Sequence, residues 1–158
     1  MEQYIQPFID SCSNVFKEFL GLELSPDRPY FTEKDTYAEW DISAVIGLTG
    51  EARGAVVISM KKSLARKITG ILTGETHEEM DDIVVDAIGE IVNIIAGNAK
   101  KGLEESFRIV ISLPTIILGA NHSINWPTEK ARIIAIPFGV FENDFFNLSV
   151  AIESVKGG

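Results

Sequence analysis

Glu90 and Asn93 stand three residues apart inside one of the most apolar stretches of the chain, Asp82-Ile-Val-Val-Asp-Ala-Ile-Gly-Glu-Ile-Val-Asn-Ile-Ile-Ala-Gly-Asn-Ala-Lys100. On a helix, residues at i and i+3 share a face, and Asp86, one turn before Glu90, joins them. The carboxamide of Asn93 offers acceptor and donor groups but no base. It can hold a water in line for attack without taking its proton. That suits hydrolysis of an acyl phosphate, where the leaving carboxylate is good, the transition state is loose, and positioning does most of the work. Glu90 could anchor a basic group of a partner beside that water. Asp86 could orient the surroundings of Glu90 or extend the acidic patch. Gly89 and Gly97 flank the stripe and would let another surface approach closely. The same pattern also describes the one solvated edge of a buried helix, and spacing alone does not choose between the two.

A helix must position these groups. At about 100° per residue, Asp86, Glu90, Asn93 and Gly97 fall within a stripe roughly 60° wide. The rest of the circumference is apolar: Ile83, Val84, Val85, Ile88, Ile91, Val92, Ile94, Ile95, Ala96 and Leu103. Such a helix is packed over most of its surface. Asn98 falls about 120° around, in the apolar arc, and is expected to be a buried, hydrogen-bonded structural asparagine. Thr76-His-Glu-Glu79 has the form of a capping box and is expected to open the helix, which runs to about Glu105.

The remaining elements follow from periodicity. Residues 3–20 predict a helix stopped by Gly21. A strand pair is expected from Tyr37 to Met60, turning at Thr49-Gly50-Glu51. Ser63 is expected to cap a helix that reaches about Leu72, with Gly74 past its end. Strands are expected at 108–112 and 115–118, flanking Leu113-Pro114, then a loop over 121–127. A hairpin of 132–138 and 145–152 follows, with Pro137 marking an edge or a bulge. Strands arriving as hairpins favour an α+β fold, an antiparallel sheet with helices packed on one face. The length fits a single domain over residues 1–158.

Several functions are disfavoured. A net charge of −9 argues against binding nucleic acid or an anionic membrane surface. Cys12 is the one cysteine, so no internal disulfide forms, and it is expected to be a packed or half-exposed thiol rather than a nucleophile. No apolar run reaches the ~18 residues that span a bilayer, and no basic segment followed by an apolar one opens the chain, so it is expected to be cytoplasmic. His77 and His122 are isolated, which disfavours zinc. Glu78, Glu79, Asp81 and Asp82 cluster where a helix dipole favours acids, so no metal is expected there. No phosphate-binding glycine loop or nucleophile elbow is present. Trp40 and Trp126 are expected to pack or to line an interface.

Taken as a unit, Asp86-x-x-x-Glu90-x-x-Asn93 followed by Pro114 resembles the signature of the CheC/CheX chemotaxis phosphatases. The segment Gly-Glu-Ile-Val-Asn-Ile-Ile-Ala-Gly-Asn-Ala-Lys and the order of elements are similar too. One Glu-x-x-Asn helix is present where CheC-like members typically carry two, so the chain is closer to the CheX branch. Residues 94–113 separate Asn93 from Pro114, a slightly shorter span than the family's. The resemblance implies a CheC-like architecture and a phosphatase of the aspartyl phosphate on a CheY-type response regulator, in chemotaxis or another two-component circuit. It implies that Glu90 pairs with the regulator's lysine and that Asn93 orients the attacking water. It also implies that Mg2+ belongs to the regulator, that the chain needs no cofactor of its own, and that it forms a homodimer through its sheets. A non-catalytic dimeric module binding a regulator or a flagellar switch component is the alternative.

Overall fold

The structure is a computed structural model that describes residues 2–32, 40–119 and 124–155, with the backbone alone for residues 2 and 3. Tyr37, His122 and the start of the loop expected at 121–127 lie outside the described residues. The apolar spacing at the N-terminus forms α1 (Glu2–Val15), continued by one π turn over Phe16–Leu20. Gly21, at φ 67°, ends it in a left-handed conformation that only glycine adopts without strain. Two short strands follow, β1 (Ser25–Pro26) and β2 (Tyr30–Thr32), then the hairpin of β3 (Ile42–Gly50) and β4 (Ala52–Met60). Next come α2 (Lys62–Thr73), α3 (Asp82–Leu103), β5 (Ile109–Ile111) and β6 (Thr115–Leu118). The chain closes with a second long hairpin, β7 (Ile133–Val140) and β8 (Asp144–Ser154).

Among the described residues these eight strands form one antiparallel sheet in the order β1-β7-β8-β4-β3-β5. Strand β2 extends the β1 edge along β7, and β6 extends the β5 edge along β3. The second strands of the two long hairpins meet at the centre, with Val56 opposite Val150. Alternation gives the sheet one core face. Ile42, Ala44, Ile46, Val56, Ile58, Ile136, Phe138, Phe146 and Leu148 share a single apolar cluster with α1, the π turn, α2 and α3. The helices therefore lie on one face of the sheet, the α+β arrangement expected from sequence. Each Ile, Leu or Phe sealed in this layer contributes about 1.5–3 kcal/mol by leaving water. Phe16, Phe146 and Phe138 stack in series at 5.0 Å between centroids, tying the π turn to the second hairpin.

Two contacts fix α3 against α1. Ser11 donates its hydroxyl to the Ile95 carbonyl at 2.7 Å. Gly102 leaves room for Pro7, whose Cβ would stand 2.9 Å from a side-chain carbon at that position. Among the described residues no helix is long and apolar enough to cross a membrane.

Local expectations differ from the structure in four places. The string Thr76–Glu79 does not open α3; Asp81 does, its carboxylate accepting from the Val84 N–H at 2.9 Å. The reason is His77, which is buried between α2 and α3 and whose carbonyl accepts from Arg66 at 2.8 Å, so the chain enters the helix only after it. Ser63 does not cap α2. Asp41, just before β3, accepts from the Lys62 N–H at 2.7 Å and supplies the missing acceptor from across the fold. Asn98 is exposed, because α1 leaves a notch beside it lined by Asp10, Ser11 and Asn14. Pro137 sits within β7, opposite Asn147 of β8. Its carbonyl accepts from the Asp27 N–H on the other side, so its missing N–H also faces that side, at the gap between β1 and β2.

Candidate active site

Helix α3 separates its two faces sharply. Val84, Ile88, Ile91, Val92 and Ile95 are buried, while Asp86, Glu90 and Asn93 are exposed. Among the described residues, none of these three side chains makes a hydrogen bond or an ion pair. Three polar groups on one rigid face are thus left to solvent or to a partner. The helix under them is well anchored: Asp81 caps its start, and Lys100 and Lys101 sit in its last turn, where the helix dipole favours cations.

The flanking glycines differ from each other. Gly89 is buried, and a Cβ there would lie 3.6 Å from Ile116 and 3.7 Å from Pro114. The surface that approaches Gly89 is the chain's own β5–β6 segment. Pro114 is thereby brought against the residue that precedes Glu90, although the sequence holds them far apart. A Cβ at Gly97 would meet nothing within 4 Å, so that end of the stripe is open.

Sequence reasoning passed over Ser112 and Leu113, the residues that carry Pro114 to α3. Ser112 is bound to β3 in both directions: its N–H donates to the Gly47 carbonyl at 2.9 Å, and its hydroxyl accepts from the Gly47 N–H at 2.8 Å. Leu113 is exposed between these anchors. Twofold or helical periodicity gives no sign of such a tripeptide.

Other titratable groups have structural explanations. Burial pushes the Cys12 thiol up, so it stays protonated and unreactive. The Val84 N–H and then His77 hold Asp81 below the usual aspartate range, against an opposing effect of desolvation. His77 bridges Thr73, at 2.9 Å, and Asp81, at 3.4 Å. A cavity of about 420 Å³ beside His77 is lined by α2 and residues 74–77, and no residue of the α3 stripe lines it. Among the described residues no three His, Cys, Asp or Glu side chains are grouped to hold a metal ion.

The family model for chemotaxis phosphatase CheX matches residues 42–139, a span that contains the whole stripe and Pro114. This chain belongs to the CheX family. A relative from Thermotoga maritima, the CheY-P phosphatase CheX, is 26% identical over 152 residues, covering 95% of this chain and 96% of its own length. The crystal structure of chemotaxis protein CheX from Vibrio vulnificus superposes with a TM-score of 0.85 at 32% identity, covering 95% of this chain and 99% of that one. The CheX chain in a CheX–CheY–BeF3–Mg2+ complex from Borrelia burgdorferi has a TM-score of 0.81 at 26% identity, with 96% and 98% covered. CheX membership accounts for the architecture: these likenesses extend over nearly the entire chain, sheet and helices together.

Proposed function

We propose that this chain hydrolyses the aspartyl phosphate of a CheY-type response regulator, with Asn93 and Glu90 as the working residues of α3. The observation that carries this reading is a pair of exposed polar side chains, without hydrogen-bond partners among the described residues, on one face of a helix whose opposite face is packed. A small-molecule enzyme would bury its substrate in a pocket. Here the groups lie on an open helix face, which suits a macromolecule that brings its own reacting centre. The CheY-P phosphatase relative and the CheX–CheY complex support a receiver domain as that partner.

In this reading Asn93 enters the regulator's site and accepts a hydrogen bond from water while aligning its oxygen with phosphorus. The water oxygen bonds to phosphorus as the bond from phosphorus to the aspartyl oxygen breaks. The proton of the water passes to the released phosphate, and the aspartate leaves as a carboxylate. Glu90 pairs with the regulator's lysine and sets the angle of approach. Asp86 adds negative charge on the same side, Gly89 lets Pro114 close against α3, and Gly97 leaves space for the partner's surface. Mg2+ belongs to the regulator and neutralises phosphoryl charge there. We further propose that residues 1–158 act as one unit, working in the cytoplasm as a homodimer joined through its sheets.

The test is phosphate release from a phosphorylated CheY-type receiver, with catalytic amounts of the chain and of Asn93→Ala. Acceleration by the wild type that disappears in the variant is expected. No acceleration with any receiver of the same genome sinks the proposal.

A further inference from the structure

We infer that Leu113 is an apolar anchor for the same regulator, seated beside the α3 stripe. The inference rests on the regulator reading of that stripe. A lone exposed leucine is ordinary on a protein surface. Leu113 differs in three ways. Its exposure, 81%, exceeds that of Val110, Leu118 and the other exposed large apolar residues described, and it takes no part in the apolar core. Its mount is rigid. Ser112 is bound to Gly47 in both directions and also donates its hydroxyl to the Leu113 carbonyl at 3.0 Å, and Pro114 restricts the Leu113 backbone to extended conformations. Its position is next to the working face, because Pro114 packs at Gly89, the residue before Glu90.

Charge and affinity divide accordingly. Solvated ion pairs contribute little to affinity, though they steer and orient. Asp86, Glu90 and Asn93 can therefore select and align a receiver but hold it weakly. An apolar side chain held ready on a stiff segment loses little freedom on docking, so most of its burial is retained as affinity. On this reading Leu113 buries against the receiver beside its phosphorylated site, while the lysine and phosphoryl group meet the stripe.

Val110 supplies the control. It is also exposed, at 63%, and lies on the neighbouring strand. It stands opposite Thr49, whereas the next pair, Ile111 and Leu48, faces the core, so Val110 points to the sheet face away from the helices. The experiment measures Kd for a CheY-type receiver loaded with BeF3 and Mg2+, with BeF3 standing in for the phosphoryl group. Leu113→Ala is expected to raise Kd about tenfold. Leu113→Met should restore binding to within about twofold, since the volume is kept. Val110→Ala should leave Kd unchanged, and Tm should be the same in all of them. In dephosphorylation KM rises with Leu113→Ala while kcat holds. An unchanged Kd for Leu113→Ala, or an equal loss for Val110→Ala, overturns the anchor alone. Weakened binding by Leu113→Ala, with no hydrolysis by the wild type, keeps the anchor and overturns the phosphatase reading. No binding of the loaded receiver by the wild type overturns both.

Discussion

Two glutamates of this chain live in opposite circumstances. Glu153, on β8, accepts hydrogen bonds from Arg53 and from the N–H groups of Glu129, Lys130 and Ala131 at 3.0–3.1 Å. Burial raises its pKa, but the Arg53 guanidinium and the three N–H groups outweigh that and hold it at about 2. The carboxylate clamps the segment entering β7 onto the last strand. Glu90, on α3, is exposed and makes no such bond among the described residues. The difference separates a charge the fold uses for itself from one it leaves available. A satisfied carboxylate belongs to stability, and an unsatisfied one on an exposed helix face is free to meet a partner. Stability and activity should then respond to different substitutions.

The sharpest break in that comparison is Asn93→Ala. It removes an exposed side chain that makes no hydrogen bond among the described residues, so Tm is expected to stay within error. Assisted hydrolysis should fall by about 10²-fold or more, as when a positioned polar group is removed from a reacting centre. Matched circular dichroism melts and phosphate-release assays check both halves. A fall in Tm equal to that of a core variant would place Asn93 on the structural side. Glu90→Ala should have a smaller effect, about tenfold at low salt, and the loss should shrink as salt screens the proposed pairing with lysine. The same assay at rising ionic strength decides it. A defect independent of salt contradicts the pairing.

Much of this division is written in the sequence, and particular residues show where it stops. Asp86, Glu90 and Asn93 interrupt an apolar period, so the candidate helix and its exposed face are visible before any coordinates. Both long hairpins are visible for the same reason, because alternation is local. The capping box at Thr76–Glu79 is local too, but it misleads, because the burial of His77 against α2 decides where α3 starts. Asn98 fails similarly: the helical wheel assigns it to the apolar arc, and only the notch left by α1 exposes it. The meeting of Pro114 with Gly89, and the display of Leu113 beside it, depend on β5 and β6 folding back along β3. No spacing rule reports that.

On the stability side the comparison predicts a mirror image. Glu153→Gln should leave phosphate release unchanged and lower Tm at neutral pH by roughly 5 °C, because charge-assisted hydrogen bonds become weaker neutral ones. The direction with pH follows from the depressed pKa. The carboxylate contributes its stability above its ordinary value of 4.5 and loses it as pH falls toward about 2. The Tm gap between wild type and variant should therefore close over that window. A gap that stays constant down to pH 2 would mean that the charge on Glu153 is not what holds the clamp.

The smallest effect concerns Asp81, which lies on the site helix yet belongs with Glu153. Its carboxylate is engaged by the Val84 N–H and by His77. It caps α3 three turns before Asn93, too far for fraying of the first turn to reach the working face. Asp81→Ala should lower Tm by about 2–4 °C and leave the salt dependence of hydrolysis intact. The Asp81 pKa is held below its ordinary 3.8, so the wild-type advantage should be full above that pH and fade as pH falls through the lowered value. Asp81→Asn separates the possible causes, because asparagine caps a helix about as well as aspartate does but carries no charge. Its Tm at neutral pH should stay near that of the wild type and lose the acid-dependent part. A fall as large as that of Asp81→Ala would assign the effect to the bond with His77 instead of the cap.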